Sequence, residues 1–230
     1  MTRTTLHGRA LVLATFAALS GLALLAAPAA AQTVGGKAYG TYVNALGVTA
    51  QSPVATLPST GGMAVGDVET FGVPSALDAR WLTAVTTGVV DNSASSSQST
   101  SELENVSVLG GLITAENVTA IASSYRNASG AASDAAGSGF VNLIVNGVAV
   151  TTDVAPNTRV DLPGAGYVVL NEQARSGDGV TASGITVNMI HVYLQSITGG
   201  IVDPLTGAVV GGTLTTTGEI IVGSAGSAVR

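Results

Sequence analysis

The strongest hairpin signal in the chain is the run Phe140-Val-Asn-Leu-Ile-Val-Asn-Gly-Val-Ala-Val-Thr-Thr152. Its central dipeptide, Asn146-Gly147, suits a type I′ turn, because both central residues of that turn need a positive φ and Asn-Gly tolerates this well. The run therefore predicts a hairpin with arms at residues 140–145 and 148–152. Further strands are predicted at Thr158–Leu162, 167–173 and 185–194. We expect this region to form the centre of an all-β domain.

A second hairpin is predicted around Gly110-Gly111, with arms at residues 101–109 and 112–124. A register that places Leu109 opposite Leu112 brings apolar residues face to face, as hairpin pairing requires. The aligned pairs are Val108 with Ile113, Val106 with Ala115 and Leu103 with Val118. A helix over residues 112–122 is the alternative, and its Thr, Val and Ile content disfavours it.

The other strands are predicted at residues 37–46, Val48–Leu57, 63–71, 80–90 and 219–222. In the first of them, Tyr39, Thr41 and Val43 are expected on one face, and Gly40 marks a bulge or a close backbone approach. Pro53 favours an edge position for the second strand, because proline cannot donate to a ladder.

Two segments are predicted to connect strands, and a third has two alternative interpretations. The Ser-rich segment 91–100 is either a flexible linker or a strand whose solvent face is lined by Ser. Residues 127–138 are expected to form a loop of small residues, and Asp203-Pro204-Leu-Thr-Gly207 has the composition of a turn.

The composition also favours an all-β fold. Charged residues make up only 10% of the chain, and its 30 glycines accompany many Thr, Ser, Ala and Val residues. Thr and Val suit a pleated, half-buried surface, and Gly suits turns. No sustained 3.6-residue period follows the N-terminal segment, so little helix is expected. We predict an antiparallel β-sandwich, jelly-roll-like or related.

The N-terminus has the pattern of a secretory signal peptide. Basic residues precede an apolar run over 10–27, and Ala29-Ala30-Ala31 offers a cleavage site of small residues. An uncleaved anchor is the alternative, because a spanning helix needs roughly 20 apolar residues. Cleavage after residue 31 leaves residues 32–230 as a single secreted domain without a transmembrane segment. Residues 32–90 are a candidate subdomain.

The mature chain is acidic and contains no cysteine. Six Lys and Arg residues oppose 14 Asp and Glu residues, giving a net charge of −8. The scattered cations form no stripe that would bind phosphates, so neither nucleic acid nor an anionic membrane is expected as a partner. Without disulfides, the fold must rest on its core and its ladder hydrogen bonds.

Few residues suit catalysis. His191 is the only His after residue 31, in a strand where Val187, Met189 and Tyr193 are expected to share its face. One hypothesis pairs it with a carboxylate such as Glu172. We favour a structural His hydrogen-bonded within the sheet, because the chain has no Cys and no Gly-x-Ser-x-Gly elbow.

Carboxylates give no clear site either. The neighbours Asp67/Glu69 and Glu102/Glu104 each share a strand face, which is more typical of a solvated rim than of a glycosidase acid pair. Transition metals lack His and Cys ligands. Calcium candidates without the usual loop spacing are Asp153, Asp161, Asp178 and Asp203. No catalytic, cofactor-binding or metal-binding residue is therefore predicted.

Trp81 is the one candidate for a ligand contact. A Trp side chain can stack on a sugar ring, although a lone Trp more commonly packs in a core or at its rim.

Several linked motifs point to a known family. They are Leu109-Gly-Gly-Leu-Ile-Thr-Ala, Val145-Asn-Gly-Val, Pro156-Asn-Thr, Asp161-Leu-Pro-Gly, Val168-Val-Leu-Asn-Glu-Gln, Val187-Asn-Met-Ile-His-Val and Glu219-Ile-Ile-Val-Gly-Ser-Ala. In order and spacing, over residues 37–229, they resemble the bacterial choice-of-anchor P family. That family comprises exported proteins that share one domain and end in different surface-attachment signals. The resemblance implies a surface or secreted protein without an established enzymatic activity, and it carries over no functional residues.

Residues 224–230 contain neither a sortase tail nor an apolar helix, so release or noncovalent retention is expected. These observations predict a secreted, non-enzymatic structural or interaction protein of the bacterial envelope. Self-association or binding to cell-envelope polymers is expected. The alternatives are a carbohydrate-binding or adhesive module and, more remotely, a hydrolase that acts on glycans.

Overall fold

The computed structural model describes residues 32–202 and 209–230, so the predicted signal peptide and the predicted turn at 203–207 lie outside the described residues. Gln32–Arg230 forms one compact unit. Its strands build two antiparallel sheets that pack together, and the predicted β-sandwich is confirmed. The described residues contain no helix that is long and apolar enough to cross a membrane.

Sixteen strands occur in the described ranges. The first eight are β1 Val34–Ala45, β2 Val48–Leu57, β3 Gly62–Val73, β4 Leu77–Val90, β5 Ser95–Val108, β6 Ile113–Asn127, β7 Gly130–Asp134 and β8 Gly139–Val141. The others are β9 Ile144–Val145, β10 Val148–Ala149, β11 Thr158–Leu162, β12 Gly166–Gly177, β13 Ser183–Thr198, β14 Ile201–Val202, β15 Val209–Val210 and β16 Thr213–Val229.

Each sheet is largely a meander. The six-stranded sheet has the order β11-β12-β13-β16-β1-β2, and the eight-stranded sheet has the order β10-β9-β6-β5-β4-β3, with β7 and β8 also paired to β6. The chain changes sheet after β2 and returns after β10, unlike a jelly roll, which contains two Greek keys. Residues 32–90 thus contribute β1 and β2 to one sheet and β3 and β4 to the other.

The hairpin around Gly110-Gly111 is confirmed, including its register. Val108 pairs with Ile113, Val106 with Ala115 and Leu103 with Val118. The helix over 112–122 is therefore wrong. The predicted bounds of β2 and β11 also agree with the structure, and β2 lies at a sheet edge as Pro53 indicated.

The hairpin at Asn146-Gly147 has the predicted turn but not the predicted place. Both residues have a positive φ, 54° and 76°. Its arms β9 and β10, however, are only two residues long and lie at the edge of the eight-stranded sheet. The region 139–194 was predicted as the centre of the domain, and this holds for its strands β12 and β13, which lie inside the six-stranded sheet. It is wrong for the hairpin, because the turn fixes only the local conformation, and the residues beyond β10 leave the ladder.

The centre of the six-stranded sheet is formed by β13, which belongs to the predicted central region, and by β16, which does not. The sequence predicted only residues 219–222 of β16, because that is its one apolar run. The strand in fact has 17 residues and pairs with β13 on one side and β1 on the other. Its second half is Gly, Ser and Ala, which is a poor strand signal but suits a place where two sheets approach closely. The predicted loop 127–138 likewise contains a strand, β7, paired to β6.

Residues 95–100 of the Ser-rich segment belong to β5, so the alternative of a linker is wrong for them, and the face that carries Ser97 and Ser99 points inward. Ser97, Ser99 and Ser101 are buried, whereas Ser96 is exposed. The prediction of a Ser-lined solvent face is wrong. The inward hydroxyls cross to the backbone of the opposite sheet: Ser99 donates to the Gly226 carbonyl at 2.7 Å, and Ser101 donates to the Tyr39 carbonyl at 2.9 Å.

Ser97, Ser99, Ser101 and Ser227 form what we call the serine seam, which joins the two sheets in one half of the sandwich. The hydroxyl oxygens of Ser97 and Ser227 are 2.6 Å apart, and Ser227 also donates to the Ser97 carbonyl at 2.9 Å. Larger side chains fill the other half. The largest fully buried ones include Leu77, Leu82, Leu103, Ile113, Leu170, Ile190 and Ile220.

Five adjacent strands of the six-stranded sheet reverse their inward and outward faces along one transverse line. The line passes through Pro53, Gly40, Gly223, Met189 and Asn171, and every ladder skips the pair at that position. Asn171 and Gly223 adopt positive φ values of 50° and 67° there. Successive outward positions beside the line are therefore three residues apart rather than two, as with Asn188 and His191 on β13.

The reversal corrects the predicted faces of β1. Thr41 and Val43 are fully buried, whereas Tyr39 is only partly buried and lies beyond the reversal. The three therefore do not share a face. The predicted close approach at Gly40 is confirmed, because a Cβ there would lie 2.9 Å from both Leu82 and Pro53 side-chain carbons.

Gly223 provides a test of this reversal. We expect Gly223→Ala to lower the free energy of unfolding by about 1–3 kcal/mol, because alanine disfavours a positive φ and its Cβ would lie 2.9 Å from a Val118 methyl carbon. Gly226→Ala on the same strand is the control. Its Cβ would meet nothing closer than 3.6 Å, so its denaturation midpoint should stay near that of the wild type. Equal midpoints for the two variants would contradict the reversal.

Candidate functional site

A cluster centred on His191 lies on the outer face of the six-stranded sheet. His191 projects from β13 toward Glu172 on β12, and its Nδ1 lies 2.6 Å from the Glu172 Oε2. On the other side its Nε2 lies 3.1 Å from the Glu219 Oε2 on β16. The imidazole is buried between the two carboxylates, whose side chains are 24% and 34% exposed.

The face reversal places this cluster. Met189 and Ile190 are consecutive residues and are both buried in the core, so the outward positions of β13 become Asn188, His191 and Tyr193. The prediction that Val187 and Met189 share a face with His191 is wrong, because simple alternation ignores the reversal.

Glu172 has a hydrogen-bond partner on each oxygen besides the imidazole. Its Oε1 accepts from the Tyr193 hydroxyl at 2.8 Å, and its Oε2 accepts from the Asn188 side-chain amide at 2.8 Å. The Asn188 carbonyl oxygen in turn accepts from the Ser224 hydroxyl at 2.7 Å. The network fixes the orientation of Glu172 and hence of the imidazole.

The electrostatics favour a charged cluster. The hydrogen bond to His191 is the main reason that the pKa of Glu172 falls to about 2, against the opposing effect of burial. Burial alone would lower the pKa of His191, but the hydrogen bonds and charges of Glu172 and Glu219 outweigh it and raise the pKa. Burial, together with the bond to Glu172, raises the pKa of the Tyr193 hydroxyl. Both ring nitrogens can donate only in the imidazolium form, which this geometry therefore favours.

An aromatic column extends the cluster toward the sheet edge. The rings of His191 and Tyr193 stack at a centroid distance of 4.0 Å, and those of Tyr193 and Tyr167 stack at 4.8 Å. The Arg159 guanidinium on β11 caps the Tyr167 ring at 3.8 Å. Because each ring covers its neighbour, the column presents ring edges rather than open ring faces to a ligand.

A shallow depression of about 500 Å³ adjoins this column. Its lining includes Asn44, Tyr167, Tyr193, Thr216, Thr217 and Glu219. Tyr39 and Tyr42, on β1, are the other tyrosines on this sheet, so the six-stranded sheet carries four of the five tyrosines of the chain. The polar lining could accept a hydroxylated ligand.

The cluster lacks the parts of a nucleophilic site. Both nitrogens of His191 are occupied by carboxylates, and the nearby Ser224 hydroxyl is directed to Asn188. The two carboxylates lie at opposite nitrogens of one ring and do not converge on a common point. Across the described ranges, no three His, Cys, Asp or Glu side chains are placed to hold a metal ion.

Trp81 lies on the other sheet, away from the four tyrosines of the six-stranded sheet. It is on β4 with a positive φ of 47°, and its side chain is 57% exposed. The structure therefore does not bring Trp81 and Tyr39, Tyr42, Tyr167 and Tyr193 to one surface.

The predicted acidic pairs also lie on the eight-stranded sheet. Asp67, Glu69, Glu102 and Glu104 are all exposed. In the ladders Thr83 stands between Asp67 and Glu102, and Arg80 pairs with Glu104. These carboxylates are therefore separated by a strand and partly balanced by a cation, and they are not gathered with Glu172.

The described Asp residues that were considered as calcium ligands either form other interactions or lie in separate loops. Asp161 forms an exposed ion pair with Arg159 at 3.0 Å. The hydrogen bond from the Thr181 hydroxyl, together with those from the backbone amides of Ala182, Val180 and Thr181, holds the pKa of Asp178 well below the usual range. Asp153 is exposed in a separate loop, and Asp203 lies outside the described residues.

Sequence reasoning identified Glu172 and His191 as a pair but missed Glu219, Asn188 and Tyr193. Glu219 could have been found if β16 had been recognised as the neighbour of β13, because Tyr193 and Glu219 are direct ladder partners.

The fold and this cluster define an antiparallel β-sandwich with a hydrogen-bonded Glu–His–Glu arrangement on one outer face. Comparisons with known proteins found no matching family model, no matching curated protein and no matching solved structure. Membership of the choice-of-anchor P family stays a prediction.

Proposed function

We propose that this chain is a secreted, non-enzymatic structural or interaction protein of the bacterial surface, which acts by associating through strand edges. The observation that carries the proposal is an open sandwich: β2 and β11 end one sheet, and β3 and β10 end the other. Unpaired edges present backbone donors and acceptors that another strand can use. The signal-peptide pattern and the family resemblance support export.

The state of His191 supports a non-enzymatic role. A general base must have a free nitrogen for the proton that it takes. Here Glu172 and Glu219 occupy both nitrogens and favour the protonated ring. The same cluster instead joins β12, β13 and β16 on the outside of the sheet.

Sedimentation velocity on residues 32–230 over a thousandfold range of concentration tests the proposal. We expect the mean sedimentation coefficient to rise with concentration, and the native protein to appear in the envelope or extracellular fraction of its host. A monomer at every concentration, without envelope association, would contradict self-assembly.

A carbohydrate-binding or adhesive module is the second candidate, favoured by the depression beside Tyr167, Tyr193 and Glu219. If it binds glycans there, Tyr167→Ala should weaken retention on a polysaccharide panel by about tenfold, as expected when a contact of about 1.4 kcal/mol is lost. Trp81→Ala is the matched control on the opposite sheet. Loss of binding in Trp81→Ala alone would move the site to β4, and no binding by the wild type would remove this candidate.

A further inference from the structure

The two central strands of the six-stranded sheet continue beyond their neighbours as a free ribbon. The β12 ladder reaches β13 only as far as Leu194, and the β1 ladder reaches β16 only as far as Glu219. Beyond these points β13 and β16 pair only with each other, from Gln195 with Thr216 to Thr198 with Thr213. β14 and β15 extend the ribbon. We call residues 195–202 and 209–217 the arm.

The arm exposes apolar side chains. Ile197 and Leu214 are direct ladder partners, so they share one face, and they are 50% and 57% exposed. Ile201 is 77% exposed. Within its two described segments the arm contains no charged residue. Its two long edges have no strand neighbour among the described residues.

Three of the four strands that end the sheets carry features that make strand addition less favourable there than at the arm, and the fourth, β10, is only two residues long. β11 bears the exposed ion pair between Arg159 and Asp161. β3 bears Asp67 and Glu69 on its exposed face, and β2 contains Pro53. Charges and proline are the usual means by which proteins protect edge strands. The arm lacks these features in its described part.

A mainly apolar groove, whose lining also includes the ion pair of Arg159 and Asp161, lies at the base of the arm. Its volume is about 570 Å³, and it runs between the arm and the β11–β12 turn. Leu162, Pro163 and Ala165 line one side, and Ile197 and Leu214 line the other. The groove joins the exposed pair of the arm to the body of the sandwich, so a partner strand on the arm would also cover apolar surface at its base.

We propose that the arm is the association site and that its partner is the arm of a second copy of this chain. This inference rests on the proposed function and deepens it. Two mature chains, each with a net charge of −8, repel each other, and the described part of the arm, which carries no charge, is a region where they can approach without placing like charges together. An antiparallel pairing of two identical arms about a two-fold axis would extend both ribbons into one sheet and bring the faces that carry Ile197 and Leu214 in the two copies side by side.

Charge substitution in the arm tests the proposal. Leu214→Lys should raise the dissociation constant of residues 32–230 in sedimentation equilibrium by at least tenfold, because pairing would place an ammonium group from each copy in an otherwise uncharged contact. Met63→Lys is the matched control, since Met63 is 65% exposed on the eight-stranded sheet. Circular dichroism and thermal unfolding establish that both variants fold. If the two variants associate like the wild type, the arm is not the site, although the proposed function stands. A wild type that stays monomeric overturns both.

Cross-linking gives a readout that does not depend on weakening the contact. The chain has no native cysteine, so a single introduced thiol reports one position. Under mild oxidation Thr198→Cys should form disulfide-linked dimers, and Thr87→Cys, exposed on the other sheet, should not. Pairing of arms would be overturned by equal dimer yields from the two variants. It would also be overturned if Thr198→Cys formed no dimer although the wild type associates.

Discussion

Glutamine in place of His191 is expected to lower the free energy of unfolding by about 1–3 kcal/mol near pH 6, the range for lost hydrogen bonds to charged groups. The imidazole bridges Glu172 and Glu219, and the shorter-reaching amide leaves at least one carboxylate without its partner. Because solvent reaches both carboxylates, the loss should stay below that of a fully buried ion pair. For a domain of this size the melting temperature should fall by roughly 2–4 °C per kcal/mol.

The same cluster predicts how stability depends on pH. The folded-state pKa of His191 is raised above its ordinary value of 6.5, so its contribution is complete below pH 6.5 and is lost as pH rises through the raised pKa. The folded-state pKa of Glu172 is lowered from 4.5 to about 2, so its contribution is present above pH 4.5 and is lost as pH falls toward 2. The stabilisation from this cluster should therefore be greatest between pH 4.5 and 6.5.

Urea denaturation at a series of pH values measures both effects. We expect His191→Gln to flatten the alkaline side of the profile and Glu172→Gln to reduce both sides, because each removes a partner of the other. Glu116→Gln is the control, since it makes the same chemical change at an exposed carboxylate on the other sheet. A His191→Gln profile parallel to that of the wild type would show that the cluster does not hold the imidazolium.

Local signals in the sequence predicted local structure well. Gly110-Gly111 and Asn146-Gly147 were both recognised as two-residue turns, because positive φ values depend on the residues at the turn itself. The turns did not predict how long the flanking strands are or where they lie in the strand order of the sheet. The two strands of the hairpin at Gly110-Gly111 have 14 and 15 residues, whereas the two strands at Asn146-Gly147 have only two residues each. Strand length depends on partners that are distant in sequence.

The serine seam shows why the polarity of a strand did not reveal its face. Alternating Ser residues normally indicate a solvent face, but here Ser97 and Ser99 fit where larger side chains would separate the sheets. Their hydroxyls find carbonyl acceptors on the opposite sheet, which removes most of the cost of burying them. Such acceptors cannot be identified before the sheets are packed.

The candidate site was predictable only in part for a related reason. Pairing of Glu172 with His191 followed from two adjacent strands with suitable side chains. His191 points outward like Asn188 only because the strand faces reverse at Met189. The sequence gives little sign of this reversal, since its only local signals are Asn171 and Gly223, the residue types that tolerate a positive φ. Glu219 required the full extent of β16, which its Gly- and Ser-rich half concealed.

Valine at position 99 is expected to destabilise the domain by about 2–4 kcal/mol. The substitution removes the hydrogen bond from Ser99 to the Gly226 carbonyl, worth about 1 kcal/mol, and adds a methyl group in a seam without spare room, which costs about 1–3 kcal/mol. The lack of room is evident at Gly36, where a Cβ would lie 3.0 Å from the Ser99 hydroxyl oxygen. Ser96→Val, which places the same side chain on the exposed face of the same strand, should leave the urea midpoint nearly unchanged or raise it slightly. Similar losses for the two variants would mean that the Ser face of β5 does not lie between the sheets, and smaller losses for Ser99→Ala than for Ser99→Val would separate the hydrogen bond from the steric effect.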